Sequence, residues 1–188
     1  MTKPLLLIIS GPPCTGKTTL GKSLAQEFHL PFINKDGFKE ILFDRLGWSD
    51  RAWSKKLGVA SMDILYSVLE AQLRAEQSCI VESNFRPEFD TQRFLELKEV
   101  YNFEPFQIQC TCDGPTLLQR FKQRAESSSS RRHPGHGDQL NYEEFTPGLL
   151  KGRLSPLEIG GTLYEVDTTD FRSLDYKKII DTIMDVTK

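Results

Sequence analysis

The fold is decided by two neighbouring runs of sequence, Leu5-Leu6-Leu7-Ile8-Ile9 and Gly11-Pro12-Pro13-Cys14-Thr15-Gly16-Lys17-Thr18. The apolar run predicts a strand buried on both faces, as in a parallel sheet. The second run fits the pattern GxxxxGK[ST], in which glycines let backbone N–H groups turn inward toward a phosphate. Apolar residues then recur at helical spacing from Lys17 to about His29. A loop of this composition between a strand and an amphipathic helix predicts a nucleotide phosphate site.

The residues of this loop have distinct expected parts. Lys17 is expected to reach the β- and γ-phosphate oxygens of ATP, and the hydroxyl of Thr18 to take one position on Mg²⁺. The helix that follows adds its positive N-terminal end. The alternative is a glycine-rich turn that binds no nucleotide. The expected nucleotide-binding residues of the loop are Gly11, Pro12, Pro13, Cys14, Thr15, Gly16, Lys17, Thr18 and Thr19.

The composition bounds the class of protein. A length of 188 residues suits one α/β domain, so we expect residues 1–188 to form a single domain. The net charge of -2 gives no overall attraction to nucleic acid or to a membrane. The apolar run at the N-terminus is too short to span a bilayer. The four cysteines show neither zinc spacing nor a disulfide framework, so a reduced, cytoplasmic protein is expected.

Strand and helix patterns alternate along the chain. Further strands are expected at 31–34, 78–82, 105–111 and 162–166, and further helices near 52–76, 88–101, 115–125 and 174–183. This alternation predicts an α/β fold with a central parallel sheet of about five strands between two layers of helices, the three-layer P-loop NTPase architecture. Ligands bind outside the carboxyl ends of the strands in such sheets. The phosphate loop, Asp36, Glu82 and Asp167 all follow or end strands.

Residues 126–156 form the one stretch without a clear pattern. Four serines at 127–130 precede a basic segment rich in Pro and Gly, which favours a mobile lid and cover over about 125–157. Arg131, Arg132 and His133 are expected to clamp an anionic acceptor or the ATP phosphates. A solvated loop without function is the alternative. Residues 141–157 are expected to cover the acceptor.

The class of P-loop protein follows from what else the chain contains. A GTPase needs an NKxD guanine reader, and in Asn34-Lys35-Asp36-Gly37 the aspartate comes one residue early and after the second strand. A large motor protein normally has more chain and arginines that act between subunits. A small kinase fits the length best.

Three segments make a resemblance specific. The segments are Asn34-Lys35-Asp36-Gly37-Phe38-Lys39, Glu82-Ser83-Asn84-Phe85-Arg86-Pro87-Glu88 and Leu118-Gln119-Arg120-Phe121-Lys122-Gln123-Arg124. They resemble three motifs of the polynucleotide 5′-hydroxyl kinases, in the same order and at similar spacing. Those enzymes belong to a group of small P-loop kinases that includes zeta-toxin-like and antibiotic phosphotransferases. The resemblance covers about residues 4–125.

The resemblance implies parts for residues outside the phosphate loop. Asp36 is expected to be the general base on the acceptor hydroxyl, and Arg124 the lid arginine on the transferring phosphoryl group. Glu82 is expected on the Mg²⁺ side, although the related kinases more often carry Asp there. Arg120 is expected at the nucleotide, and the expected substrate residues are Lys39, Asn84 and Arg86.

Each of these assignments has a structural alternative. Asp36 is also a suitable N-cap for the helix that follows. Glu82 is also an acidic strand end that faces solvent, and Arg86 is placed to pair with Glu88 or Asp90. Arg120 and Arg124, four residues apart, also fit a solvated basic stripe.

The sequence leaves the acceptor open. An ATP- and Mg²⁺-dependent kinase is expected to phosphorylate a hydroxyl of a small molecule, a nucleoside or a nucleic-acid end. Nucleic acid is not favoured, because no long basic face or run of stacking aromatics is present. The alternative class is an ATP-binding switch or regulatory module with weak ATPase activity. A switch does not need the acceptor-side base that Asp36 would supply.

Overall fold

The computed structural model describes residues 3–126 and 142–186. The strands of these two stretches are β1 Leu5–Ser10, β2 Phe32–Asn34, β3 Cys79–Glu82, β4 Glu104–Thr111 and β5 Thr162–Asp167. Their helices are α1 Lys17–Phe28, α2 Lys35–Leu46, α3 Arg51–Arg74, α4 Pro87–Tyr101, α5 Gly114–Glu126, α6 Tyr142–Leu150 and α7 Tyr176–Val186, with a 3-10 turn at Phe171–Ser173. Within the two described stretches, every helix is too short or too polar to cross a lipid bilayer.

The strands form one parallel sheet in the order β2-β3-β1-β4-β5. The chain first builds on one side of β1 and then crosses to the other, so the strand order reverses beside β1. The carboxyl end of β1 is therefore the expected ligand position in this fold. The register also aligns Asn34 of β2 with Glu82 of β3, and Glu82 with Ile9 of β1. These ends meet at one edge of the sheet.

Helices cover both faces of the sheet, because residues 5–9 of β1 are all apolar and buried. Leu6 and Ile8 point into a core that α3 and α4 close, whereas Leu7 and Ile9 point into a core that α1 and α7 close. A smaller third core joins α5 to α6. The predicted α/β fold, with about five parallel strands between helical layers, is confirmed.

One expectation about the lid region is wrong. Residues 142–150 form a helix, although the whole of 126–156 was expected to be irregular. Pro147 lies inside this helix, and a proline within a segment normally argues against a helix. Packing accounts for the helix, since Leu149 is buried and the rings of Phe145 and Phe121 lie 5.3 Å apart. Tertiary contacts override weak local propensity here.

The segment after α6 is tied to the sheet by two buried glutamines of β4. The amide of Gln107 donates to the Leu157 carbonyl and accepts from the Leu157 N–H, both at 2.9 Å. Gln109 donates to the Leu154 carbonyl at 2.8 Å. Buried backbone groups of an irregular segment need such partners. The segment therefore has a fixed path across the sheet.

Candidate active site

The phosphate loop curls between the end of β1 and the start of α1. Its backbone has positive φ at Gly11 (144°), Cys14 (67°) and Gly16 (81°). A Cβ atom at Gly11 would lie 2.4 Å from the Cys110 carbonyl oxygen, and one at Gly16 would lie 2.5 Å from the Phe171 ring. Glycine is therefore required at both positions for space as well as for conformation. The result is a concave backbone of the kind that binds anions.

The ammonium group of Lys17 lies over this loop. It donates to the Pro12 carbonyl oxygen at 3.2 Å and lies 3.7 Å from Oε1 of Glu82. Lys17 is 6% exposed, so its charge is held in place by the loop and by the carboxylate. Thr15 fixes the same turn by donating to the Pro12 carbonyl at 2.9 Å. A lysine held in this way is ready to exchange a protein oxygen for a phosphate oxygen.

Glu82 is the centre of the polar network at the carboxyl end of β3. It is 3% exposed, and its Oε2 accepts from the Thr18 hydroxyl at 2.9 Å and from the Asn34 side-chain amide. The alternative of a solvent-facing strand end is wrong. Because Thr18 gives its proton to Glu82, the lone pairs of its oxygen remain for a cation.

Thr18 and Glu82 present the hard oxygen ligands that suit Mg²⁺. Within residues 3–126 and 142–186, no group of three or more His, Cys, Asp or Glu side chains could form a protein cage for a metal ion. A small set of ligands fits Mg²⁺ in particular, because this ion keeps several waters and takes the rest of its ligands from nucleotide phosphates. The donor set of the site therefore fits a nucleotide-bound Mg²⁺.

Asp36 lies in the first turn of α2, two residues after the end of β2. The N-cap of α2 is Asn34, whose Oδ1 accepts from the Gly37 N–H at 2.6 Å, so the alternative of Asp36 as the cap is wrong. The side chain of Asp36 is 50% exposed and lies 3.1 Å from Nζ of Lys35. Asp36 thus offers a solvent-accessible carboxylate two residues along the chain from Asn34, which contacts Glu82.

The expected substrate residues occupy different environments. Lys39 of α2 is buried; its Nζ donates to the Ser54 hydroxyl at 2.8 Å and lies 5.1 Å from the centre of the Phe43 ring. Asn84 and Arg86 are both exposed between β3 and α4. They lie beyond Glu82 on the side of the sheet edge that leads to α4.

Asp90 accepts two hydrogen bonds in the first turn of α4. From the sequence, Asp90 was considered only as an ion-pair partner of Arg86. Its Oδ2 accepts from the backbone N–H of Arg86 at 2.7 Å, and its Oδ1 accepts from the Tyr66 hydroxyl at 2.6 Å. Burial and the neighbouring Asp90 carboxylate raise the pKa of Tyr66, so this hydroxyl stays protonated. The described residues contain no ion pair between the Arg86 guanidinium and Asp90 or Glu88.

Arg120 and Arg124 lie on consecutive turns of α5. The guanidinium of Arg120 donates to the Thr168 and Thr169 carbonyls at 2.9 and 2.8 Å, which fixes the loop after β5 against α5. Arg124 is half-buried one turn further along. Arg131, Arg132 and His133 lie outside the described residues.

A contact between α3 and α6 was missed from the sequence. Arg51 donates two hydrogen bonds to Glu144, at 3.0 and 2.8 Å, and Lys55 lies 3.5 Å from the same carboxylate. The hydrogen bonds from Arg51 hold the pKa of Glu144 down, to about 2. The guanidinium also lies 5.2 Å from the centre of the Phe145 ring. Ninety-odd residues separate the partners, so no local pattern could have paired them.

The role of Asn34 was also missed, although a local signal existed. Asparagine is a favoured N-cap, and Asn34 stands three residues before Gly37, whose N–H it accepts. Its second contact, with Glu82, depends on the pairing of β2 with β3. Only the sheet order reveals that contact.

Comparison with known proteins shows the family to which this chain belongs. A model of the AAA domain family matches residues 6–141 of the chain. The structure of a protein from Chloroflexus aurantiacus j-10-fl, provisionally described as a kinase, superposes with a TM-score of 0.90 at 40% sequence identity. The match covers 97% of this chain and 98% of that one. No curated protein matches the chain.

Two more distant structures share the fold. A sugar kinase from Janibacter sp. HTCC2649 has a TM-score of 0.57 at 14% identity, over 97% of this chain and 93% of its own. The YorR protein of Bacillus subtilis, in complex with phosphorylated GDP, has a TM-score of 0.50 at 18% identity, over 95% of both chains. At these identities the likeness concerns the arrangement of strands and helices alone.

Proposed function

This chain belongs to the AAA domain family as a kinase of the P-loop type, and on that premise we propose that it transfers the γ-phosphate of ATP to an alcohol hydroxyl of a small molecule. The observation that carries this proposal is the link between two halves of the site. Thr18 of the phosphate loop and Asn34 of β2 both donate to Oε2 of Glu82. This link supports the proposal because Asp36 follows Asn34 by two residues, in the first turn of α2.

The nucleotide half of the site is proposed to hold ATP and Mg²⁺. The loop from Gly11 to Thr19 would bind the phosphates through its backbone, with Lys17 on the β- and γ-phosphate oxygens. Thr18 and Glu82 would hold the cation and its waters; when bound, Mg²⁺ neutralises charge on the phosphates. Arg120, fixed to the loop after β5, would border the nucleotide base.

The acceptor half is proposed to act through Asp36. As the acceptor oxygen forms a bond to the γ-phosphorus, the bond from that phosphorus to the bridging oxygen of ADP breaks, and Asp36 takes the hydroxyl proton. Arg124 would stabilise the negative charge on the transferring group. Lys39, Asn84 and Arg86 would contact the acceptor.

The nature of the acceptor is proposed from the charge of the chain. A net charge of -2 and the absence of a long basic face disfavour a nucleic-acid strand, which proteins bind through many phosphate contacts. A small hydroxyl compound needs far fewer charged contacts than a nucleic-acid strand does. A nucleic-acid end nevertheless stays in the test as a competing acceptor.

The proposal is tested by a screen for phosphate acceptance. The protein is incubated with [γ-³²P]ATP, Mg²⁺ and panels of sugars, nucleosides, hydroxyl-bearing antibiotics and 5′-hydroxyl oligonucleotides. We expect label on at least one small alcohol with wild-type protein and with Lys22→Ala, an exposed lysine of α1, but not with Lys17→Ala.

Two outcomes contradict the proposal in different ways. If ATP is turned over at a rate that no acceptor raises, the chain is a nucleotide-dependent switch or an ATPase. If only oligonucleotides take the label, the transfer chemistry stands and the small-molecule assignment is wrong.

A further inference from the structure

We infer that Asn34 is a positioning residue that couples nucleotide binding to the placement of the helix carrying Asp36; this inference rests on the proposed function. The side-chain amide of Asn34 has two contacts that point in different directions. Nδ2 donates to Oε2 of Glu82, and Oδ1 accepts from the Gly37 N–H at 2.6 Å. One small side chain thus joins the Mg²⁺ side of the site to the first turn of α2.

The sheet register makes this double contact possible. Asn34 and Glu82 are paired across the β2–β3 ladder, as the last residue of each strand. The Glu82 oxygen that Asn34 contacts is the same one that accepts the Thr18 hydroxyl. A shift of Thr18 or Glu82 toward a bound cation is therefore transmitted directly to Asn34. From Asn34 it passes to the N-terminus of α2 and so to Asp36, two residues further on.

The chemistry of the amide distinguishes this role from simple helix capping. Ser, Asp and Asn cap helices about equally well. Only Asn, among these, offers a donor that points to a carboxylate and an acceptor that points to a backbone N–H at the same time. An Asp would set a second negative charge against buried Glu82, and a Ser has too short a side chain to span both partners.

Another helix of the chain supplies the comparison. Asp50 caps α3 through a hydrogen bond from the Trp53 N–H to its Oδ1, at 2.8 Å, and is exposed. In the part of the chain that the structure describes, this cap shares no hydrogen bond with Glu82, Thr18 or Asn34. Asp50→Ser therefore exchanges one good cap for another and leaves the network intact. Asn34→Ser makes the same exchange but removes the contact with Glu82.

The test measures backbone hydrogen exchange in α2, with Mg²⁺ and the non-hydrolysable analogue AMP-PNP as the probe. In the wild type, the probe is expected to slow exchange of the Gly37 amide by about tenfold or more, because bound nucleotide and cation hold Thr18 and Glu82 in place and so stabilise the contacts of Asn34 with Glu82 and with the Gly37 N–H. Asp50→Ser should show the same slowing. Asn34→Ser should bind the probe with unchanged affinity and a similar Tm, and should lose the slowing.

Turnover gives the second readout. Asn34→Ser is expected to lower kcat about 10- to 100-fold with little change in the KM for ATP, as happens when support behind a reacting group is lost. In the Asp36→Asn background the same change should have almost no further effect, because both act through one group.

The results separate the inference from the function on which it rests. Probe binding with the same slowing in Asn34→Ser as in the wild type would overturn the coupling and leave the kinase proposal standing. Unchanged turnover in Asn34→Ser would do the same, since it would reduce Asn34 to a cap. A wild type that does not bind the probe would overturn the proposed function, and this inference with it.

Discussion

At the scale of single residues, the site depends on a few positions where the neighbouring atoms determine which residue type fits. Gly16 is one, because its φ is 81° and the Phe171 ring occupies the place of a side chain. Glu82 is another, because a buried carboxylate needs donors, and Thr18 and Asn34 both supply one. The chemistry proposed for the chain rests on these fixed neighbours.

Gly16→Ala tests the fit of the phosphate loop. The new methyl group is expected to displace Phe171 and to weaken ATP binding about tenfold or more, on top of about 1–2 kcal/mol of backbone strain. Gly160→Ala is the control, because Gly160 also has a positive φ (69°). Among the described residues, its added Cβ would meet only the flexible end of the Lys98 side chain, at 3.4 Å. Urea unfolding and ATP titration of both variants check this. An ATP affinity in Gly16→Ala equal to that of the control would contradict the account.

Arg124→Ala tests the arginine expected at the transferring phosphoryl group. Removal of such an arginine is expected to lower kcat about a thousandfold, while the Kd for ATP changes little, because the contact strengthens in the transition state. Lys122→Ala, an exposed cation of the same helix, should leave both constants nearly unchanged. Steady-state kinetics and ATP titration provide the measurement. An effect confined to the KM for the acceptor would show that Arg124 does not stabilise the transition state.

At the scale of elements, the sequence predicted strands and helices well where one face or both are buried. β1 and β3 contain short apolar runs because both of their faces are covered, and β4 shows an alternating pattern. The helices α3 and α5 show apolar stripes. The helix α6 was missed because its stability comes from packing on Phe121, more than a dozen residues away in sequence. Contacts of that kind leave no local pattern to read.

The join between α3 and α4 gives a prediction at this scale. Tyr66→Phe is expected to destabilise the protein by about 1–3 kcal/mol, because Asp90 is 6% exposed and loses one of its two hydrogen-bond donors. Tyr164→Phe is the control, since the Tyr164 hydroxyl has no hydrogen bond within residues 3–126 and 142–186. Urea unfolding at pH 7 compares the two. Equal stability losses in both variants would show that the Tyr66–Asp90 bond adds nothing.

At the scale of the whole molecule, the strand order explains why distant residues meet. Lys17, Asn34 and Glu82 belong to three separate segments, and they come together because β1, β3 and β2 are neighbours whose carboxyl ends share one edge. From the sequence, alternating strands and helices were enough to predict that edge. The pairing that aligns Asn34 with Glu82 could not be predicted, because the pattern within each strand does not show which strands are neighbours in the sheet.

The central claim is that this edge transfers phosphate to an alcohol with Asp36 as the base. Its most direct test is the initial rate of γ-phosphoryl transfer to the best acceptor of the screen, in Asp36→Asn and in the wild type. The control is Asp63→Asn, an exposed aspartate of α3 that lies 3.5 Å from Arg93. We predict that Asp36→Asn lowers the rate about 10²- to 10⁴-fold with the Kd for ATP nearly unchanged, and that Asp63→Asn has no effect. Transfer by Asp36→Asn at the wild-type rate would contradict the account.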